Sequence, residues 1–470
     1  MSTTAFPGRS NAGLSGILHR DRSVADVGYS RWMVPPAALC MHLCIGQAYA
    51  FSVFNLPMSR LIGITQSAPD DWKLTDLGWI FSIAIFFLGL SAALLGRWVE
   101  EGGPRRAMFA AALCWSGGFM VSAFGIYVHN IWLVYLGYGV LGGCGLGIGY
   151  ISPVSTLIKW FPDRPGMATG MAIMGFGGAA FIASPLSVWL MQQFSTPTHV
   201  GVAETFVVLG VIYFFFMMVG AALVRLPPPG WAPAGYVVPD QPKKLITTKN
   251  VFVYQALKTP QFWLIWWVLC LNVTAGIGVL GQASAMSQEM FPGKVTVTAA
   301  AGFVGLMSLF NMGGRFFWAS VSDYIGRKNT YFVFFFLGVL LYSAVPQTGE
   351  LGSVALFVLC FCVIMSMYGG GFATVPAYLR DMFGTRYVGA IHGMLLTAWS
   401  MAGIFGPVLV NYIRQYNVEH GVAKAAAYNV TMYVMAALLM VGFFCNLFIR
   451  EVHERHHMKH DEADAMGMAD

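Results

Sequence analysis

Charge is what this sequence has least of. Of its 470 residues only 10% are Asp, Glu, Lys or Arg, against about 25% in an ordinary soluble domain. No acid lies in the interior of the long apolar stretches. Paired carboxylates, a serine triad and a phosphate-binding loop are missing too, so nothing points to catalysis or to a cofactor. The first 30 residues do not read as a secretory leader: they hold Arg, Asp, Ser and Gly with no apolar core ahead of a cleavage site, and a cytosolic tail is expected. The eight cysteines (Cys40, Cys44, Cys114, Cys144, Cys270, Cys360, Cys362, Cys445) make no spaced framework. All fall in apolar stretches, where they read as small packing residues rather than disulfides or metal ligands.

What is present is hydrocarbon. Hydrophobic residues make up 57% of the chain and the mean hydropathy is +0.64, which marks an integral membrane protein. Cutting at charges, prolines and polar clusters leaves twelve stretches able to span a bilayer as helices, each span needing about 20 residues. They are 33–57, 77–98, 107–127, 131–157, 167–192, 204–224, 261–287, 297–320, 331–346, 351–376, 388–412 and 427–449. The expected class is therefore all-α and polytopic.

Lysine and arginine placement sets the expected orientation. With both termini cytosolic, twenty-one of the 27 basic residues fall on the inner side and five on the outer, the bias expected of cytosolic loops. The formal net charge of +6 is then a property of the inner membrane face, not a nucleic-acid footprint. One basic residue is left over, Arg315.

Residues 226–258 form the longest polar break and are rich in proline and lysine, as a cytosolic linker would be. The expected organisation is a tail (1–32), a six-helix bundle (33–225), this linker, a second bundle (259–450) and a tail (451–470). A repeat supports the division. "GRWVEEGGPRR" (96–106) matches "ASVSDYIGRKN" (319–329), pairing Glu100 with Asp323, Gly103 with Gly326 and Arg105 with Lys328, beside Arg327, at a constant offset of 223. A looser pair is "WFPDRPGMATGM" (160–171) and "MFGTRYVGAIHGM" (382–394). An acid, a glycine three residues on and then bases suit a tight turn between helices, with charges pairing across the helix ends. This motif resembles the loop of the major facilitator superfamily, and the resemblance covers essentially the whole chain. It implies two pseudo-symmetric six-helix bundles rocking about a central cavity near the bilayer midplane, with these loops as gates.

Arg315 is the expected functional centre. It lies eight residues before Asp323, about 12 Å along a helix, so snorkelling toward the inner surface is its bland explanation. Against this, Ser308, Asn311, Arg315 and Ser322 share one helical stripe, while Leu309, Phe310, Phe316 and Phe317 take other faces. The repeat places Ala92 at the equivalent position of the first half, so the scaffold does not require the charge. A polar stripe holding the one basic residue in the spans belongs on a cavity. The planar guanidinium suits a carboxylate, and no acid is at hand to neutralise it.

Gly145, Gly147 and Gly149 lie within a span with no strand before them, so they read as close helix packing rather than a nucleotide loop. Gln47, Tyr49, Tyr150, Tyr368 and Trp399 are further cavity candidates, each equally explicable as packing or as an interfacial anchor. His42 and His392 are the histidines inside spans, candidates for carrying protons or for structural hydrogen bonds. The tail histidines His453, His456, His457 and His460 read as solvated rather than as a metal site.

Four stretches narrow the resemblance: "YAFSVFNLPM", "KWFPDRPGMATGMAIMGFGGAAF", "LKTPQFWLIWWVLCLNVTAGIGV" and "NMGGRFFWASVSDYIGRKN". Together they are similar to the oxalate/formate antiporter family, related to the monocarboxylate transporters. The resemblance implies that Arg315 binds the substrate carboxylate and that Tyr150 and Tyr368 line the pocket. Two positions depart from it. Trp399 stands where the oxalate exchanger has a lysine, leaving a dianion one cation. Asn311 stands where monocarboxylate transporters carry the aspartate of their proton relay. The expectation is a monomeric secondary transporter of small monocarboxylates such as formate, lactate or pyruvate in a bacterial inner membrane, with protons or a counter-anion as coupling partners. Oxalate:formate exchange and a carboxylate sensor are the alternatives.

Overall fold

The computed structural model describes residues 16, 18–26, 28–236, 245–247 and 249–458, without the side chains of residues 297, 298 and 301. His460, the start of the N-terminal tail and part of the linker lie outside the described residues. Twelve long helices run through the rest: α1 (Arg31–Met58), α2 (Leu74–Gly102), α3 (Pro104–Tyr127), α4 (Ile131–Trp160), α5 (Pro165–Phe194), α6 (Val202–Leu223), α7 (Pro260–Leu280), α8 (Val297–Ile325), α9 (Arg327–Glu350), α10 (Val354–Phe383), α11 (Val388–Glu419) and α12 (Lys424–Leu447). The β-structure among the described residues is confined to isolated bridges, such as Val24 with Leu226.

The helices are longer than the apolar stretches. α10 runs on to Phe383 through Pro376, and α11 to Glu419 through Pro407, beyond the expected ends at 376 and 412. Neighbouring helices satisfy the backbone groups that a membrane proline frees, so proline is a poor stop signal here. α7 departs in the other direction. It ends at Leu280, and a separate helix, Ala283–Met290, follows the turn at Gly281 and Gln282, although 261–287 reads as one span.

The repeated glycines make the turns expected of them. Gly103 ends α2 at φ 81° and Gly326 ends α8 at φ 86°, a backbone region that side-chain-bearing residues avoid. Two helices also depart from α geometry. α1 tightens to a 3₁₀ helix over Gly46–Phe54, and α4 widens to a π-helix over Tyr135–Gly142.

Packing repeats at an interval of six helices. α1 packs on α5 as α7 does on α11, α2 on α4 as α8 on α10, and α3 on α6 as α9 on α12. Two pseudo-symmetric six-helix bundles result. They meet along α5 with α8 and α2 with α11, and α4 and α10 also cross between the halves. The exposed faces are greasy: Phe317 is 57% exposed and Leu309 37%, a surface made for lipid.

Candidate functional site

Arg315 lies on the midline face of α8. It is 0% exposed, and Asn311, one turn earlier, is 2% exposed. Snorkelling is therefore not its arrangement here. Its Nε donates to Asn311 Oδ1 at 3.1 Å, and Nη1 approaches the Ile173 carbonyl of α5 at 3.5 Å. Nη2 is buried without a partner. Among the described residues no carboxylate pairs with it. The side chain is threaded between glycines of two helices: a methyl on Gly177 of α5 would sit 2.7 Å from Arg315 Nε, and one on Gly369 of α10 would sit 2.6 Å from Asn311 Oδ1.

Two phenylalanines complete the collar. The guanidinium carbon is 5.6 Å from the ring of Phe176 and 5.2 Å from that of Phe372, within cation–π range. The same rings carry the rest of the site. Phe176 meets Tyr49 at 5.0 Å, Tyr150 at 5.5 Å and Trp399 at 5.5 Å, and Phe372 meets Trp399 at 4.5 Å and Tyr368 at 5.3 Å, all between ring centroids. Tyr49 and Tyr368 join the halves through hydroxyls 3.0 Å apart. Tyr150 Oη and Trp399 Nε1 are both buried without partners. Three donors, Arg315 Nη2 among them, thus stand unused within one aromatic shell.

The structure brings together Arg315, Asn311, Tyr49, Tyr150, Tyr368 and Trp399. Gln47 it places elsewhere: Tyr138 donates to its Oε1 at 2.9 Å, linking the 3₁₀ stretch of α1 to the π stretch of α4 inside the first bundle. His42 and His392 flank Tyr150, with ring centroids 5.4 Å and 5.9 Å away. Phe176 and Phe372 carry no sequence signal, since each is one phenylalanine among 36. Gly369, next to Tyr368, serves close approach of α10 to Asn311 of α8.

The repeated loops form a second constellation at one end of the molecule. Asp323 accepts from Gly166 N and Met167 N, both at 2.8 Å, at the start of α5. Glu100 accepts from Gly389 N at 3.2 Å, at the start of α11. Each acid thus sits on the positive end of a helix from the opposite half, and the two looser repeats supply those helix starts. Lys159 neutralises Glu100 at 2.6 Å; Arg327 pairs with Asp323 at 2.6 Å and with Asp381 at 3.1 Å. Lys328 donates to the carbonyls of Leu447, the last residue of α12, and Ile449, at 2.9 and 2.7 Å. Arg105 follows Gly103 at the start of α3. These contacts close this end, and Tyr49–Tyr368 and the bond from Ser400 Oγ to the Ile85 carbonyl (3.0 Å) join the halves further along.

Comparison with known proteins agrees with this architecture. The sequence profile of the Major Facilitator Superfamily matches residues 37–407. The oxalate:formate antiporter of Oxalobacter formigenes is 28% identical over 379 residues, covering 80% of this chain and 83% of that protein. Apicoplast pyruvate carrier 1 of Toxoplasma gondii is 24% identical over 434 residues, covering 81% of this chain and 76% of that one. Among solved structures the Escherichia coli fucose:proton symporter superposes with a TM-score of 0.62 at 13% identity, covering 89% and 99% of the two chains, a likeness of fold. The chain is accordingly a membrane transporter rather than an enzyme, and it belongs to the major facilitator superfamily.

Proposed function

We propose that this protein is a secondary transporter of small monocarboxylates such as formate, lactate or pyruvate, working by alternating access with Arg315 as the anion anchor. The observation that carries the reading is Arg315 Nη2, a permanent cation's donor buried without a partner. An isolated buried charge costs several kcal/mol, and such a cost persists where a ligand is meant to offset it. Tyr150 Oη and Trp399 Nε1 complete the donor set. The relatives named for oxalate:formate exchange and pyruvate carriage support the same ligand class.

In this reading the chain acts as a monomer in a bacterial inner membrane, its termini and repeated loops facing the cytosol. Closure of that end by Asp323 and Glu100 then describes the state sealed from the cytosol. Proteoliposome uptake of labelled formate, lactate, pyruvate and oxalate tests it. Wild type takes up at least one monocarboxylate, and Arg315→Gln takes up none. Retained uptake in Arg315→Gln removes the anchor, while oxalate counterflow exceeding that of every monocarboxylate favours the exchanger, and binding without flux a sensor.

A further inference from the structure

Beside the anion anchor, and sharing Tyr150 Oη with it, lies a further group of unsatisfied polar atoms. His42 of α1 and His392 of α11 flank the ring of Tyr150, one from each half of the molecule. His42 is 0% exposed and His392 1%. His42 uses one ring nitrogen, Nδ1, against the Ala38 carbonyl at 3.1 Å, and its Nε2 has no partner. His392 has no partner for either nitrogen, and the Tyr150 hydroxyl between them has none. A structural histidine ordinarily satisfies both nitrogens when buried. Four vacant polar atoms across an interface between halves are a poor scaffold and a good relay.

We infer that His42, Tyr150 and His392 form a proton-binding site that loads when the carboxylate binds, so that this protein carries a proton with its anion. The inference rests on the carboxylate reading of Arg315. Its physical basis is linkage. In the empty site the fixed charge of Arg315 repels a second cation; a bound carboxylate cancels that charge and removes the penalty on forming an imidazolium. The proton comes from the aqueous phase to which the site is open and leaves to the other phase, as the anion does. A protonated His392 also supplies a second positive charge on α11, seven residues before Trp399 and against the same tyrosine.

The neighbouring elements add no competing charge at this depth. α8 brings Arg315, α1 brings Tyr49 and α4 brings Tyr150. α5 offers Phe176, α6 brings Tyr213 alongside α1, and α10 offers Phe372 and Tyr368. Toward the loop end, Glu100 of α2 approaches Gly389, three residues before His392, but is already paired with Lys159. Asp381 of α10 is held by Arg327 and Arg380.

Two measurements on the full-length protein in lipid nanodiscs test the site. Titration calorimetry with pyruvate, formate and oxalate, in buffers of differing ionisation enthalpy, counts protons taken up per anion bound. The expected result is close to one in wild type near neutral pH and close to none in the His42→Gln/His392→Gln double variant. Anion binding without proton uptake, or uptake that persists in the double variant, overturns the proton site and leaves the anion anchor standing. Separately, ¹⁵N signals of the two imidazoles in wild type, assigned with the single variants, are followed down to about pH 5. One is expected to become an imidazolium, at higher pH when anion is present. Should no anion in the panel bind, the carboxylate reading fails, and the proton site that loads with the anion falls with it.

Discussion

Asn311 Oδ1 accepts from Arg315 Nε at 3.1 Å, one helical turn apart on α8, and leaves the guanidinium's outer Nη2 free. The amide orients the cation without neutralising it. A carboxylate at the same position would do both, and so compete with the substrate. Asn311→Asp is therefore expected to raise the KM for a monocarboxylate tenfold to a hundredfold near neutral pH, the size of a charge-assisted hydrogen bond of about 1.5–3 kcal/mol. Arg315 keeps the introduced acid ionised at neutral pH, so the defect shrinks as pH falls and the acid protonates. A KM profile against pH, compared with wild type, checks the sign.

Gly177 is expected to matter for chemistry rather than folding. A methyl there meets Arg315 Nε at 2.7 Å, too close for any side chain, and the flexible guanidinium yields before the backbone does. Gly177→Ala should fold with wild-type yield and raise KM several-fold while the thermal midpoint moves little. Substrate titration alongside a melting curve separates the two effects.

The two acids at the repeated loops are expected to set the balance between conformations. Each caps a helix of the other half, and such a charge contributes up to about 2 kcal/mol in a partly buried site. Asp323→Asn should shift the population toward the state open at that end by about five- to thirtyfold, and Glu100→Gln likewise. Distances between spin labels placed on the loops after α2 and α8 and at the starts of α5 and α11 report the shift. Unchanged distance distributions in both variants would show that helix packing alone holds the end shut.

Tyr49 and Tyr368 are expected to act as a unit. Their hydroxyls meet at 3.0 Å across the halves, so either Tyr→Phe change removes one hydrogen bond worth about 0.5–1.5 kcal/mol. The double variant should cost little more than either single one, a non-additive cycle. Transport KM and thermal midpoint measured over the four proteins decide it.

Much of this molecule is local and so was legible in sequence. Hydrocarbon length requires the helices, and the spacing of Glu100 to Gly103 and Asp323 to Gly326 requires the two turns. Asn311 and Arg315 share a face because four residues make one turn. The lipid-facing residues Leu309, Phe310, Phe316 and Phe317 are assigned by the same periodicity. Where the reading depended on punctuation it slipped: Pro346 and Pro376 do not end helices, and α7 stops at Leu280 without a proline to announce it.

Long-range contacts decided the rest. Phe176 and Phe372 enclose the guanidinium because α5 and α10 both cross α8, a fact no periodicity contains. Gln47 and Tyr49 are two residues apart, yet the 3₁₀ winding of α1 turns Gln47 to Tyr138 and Tyr49 to Tyr368. His42 and His392 lie 350 positions apart and meet the same tyrosine across the two halves. The sequence by itself determined that a fixed cation must lie inside a membrane helix, because residue type and helical period suffice for that. Which donors and rings surround the cation was settled by tertiary structure alone, because six helices from two halves must pack before those atoms share a volume.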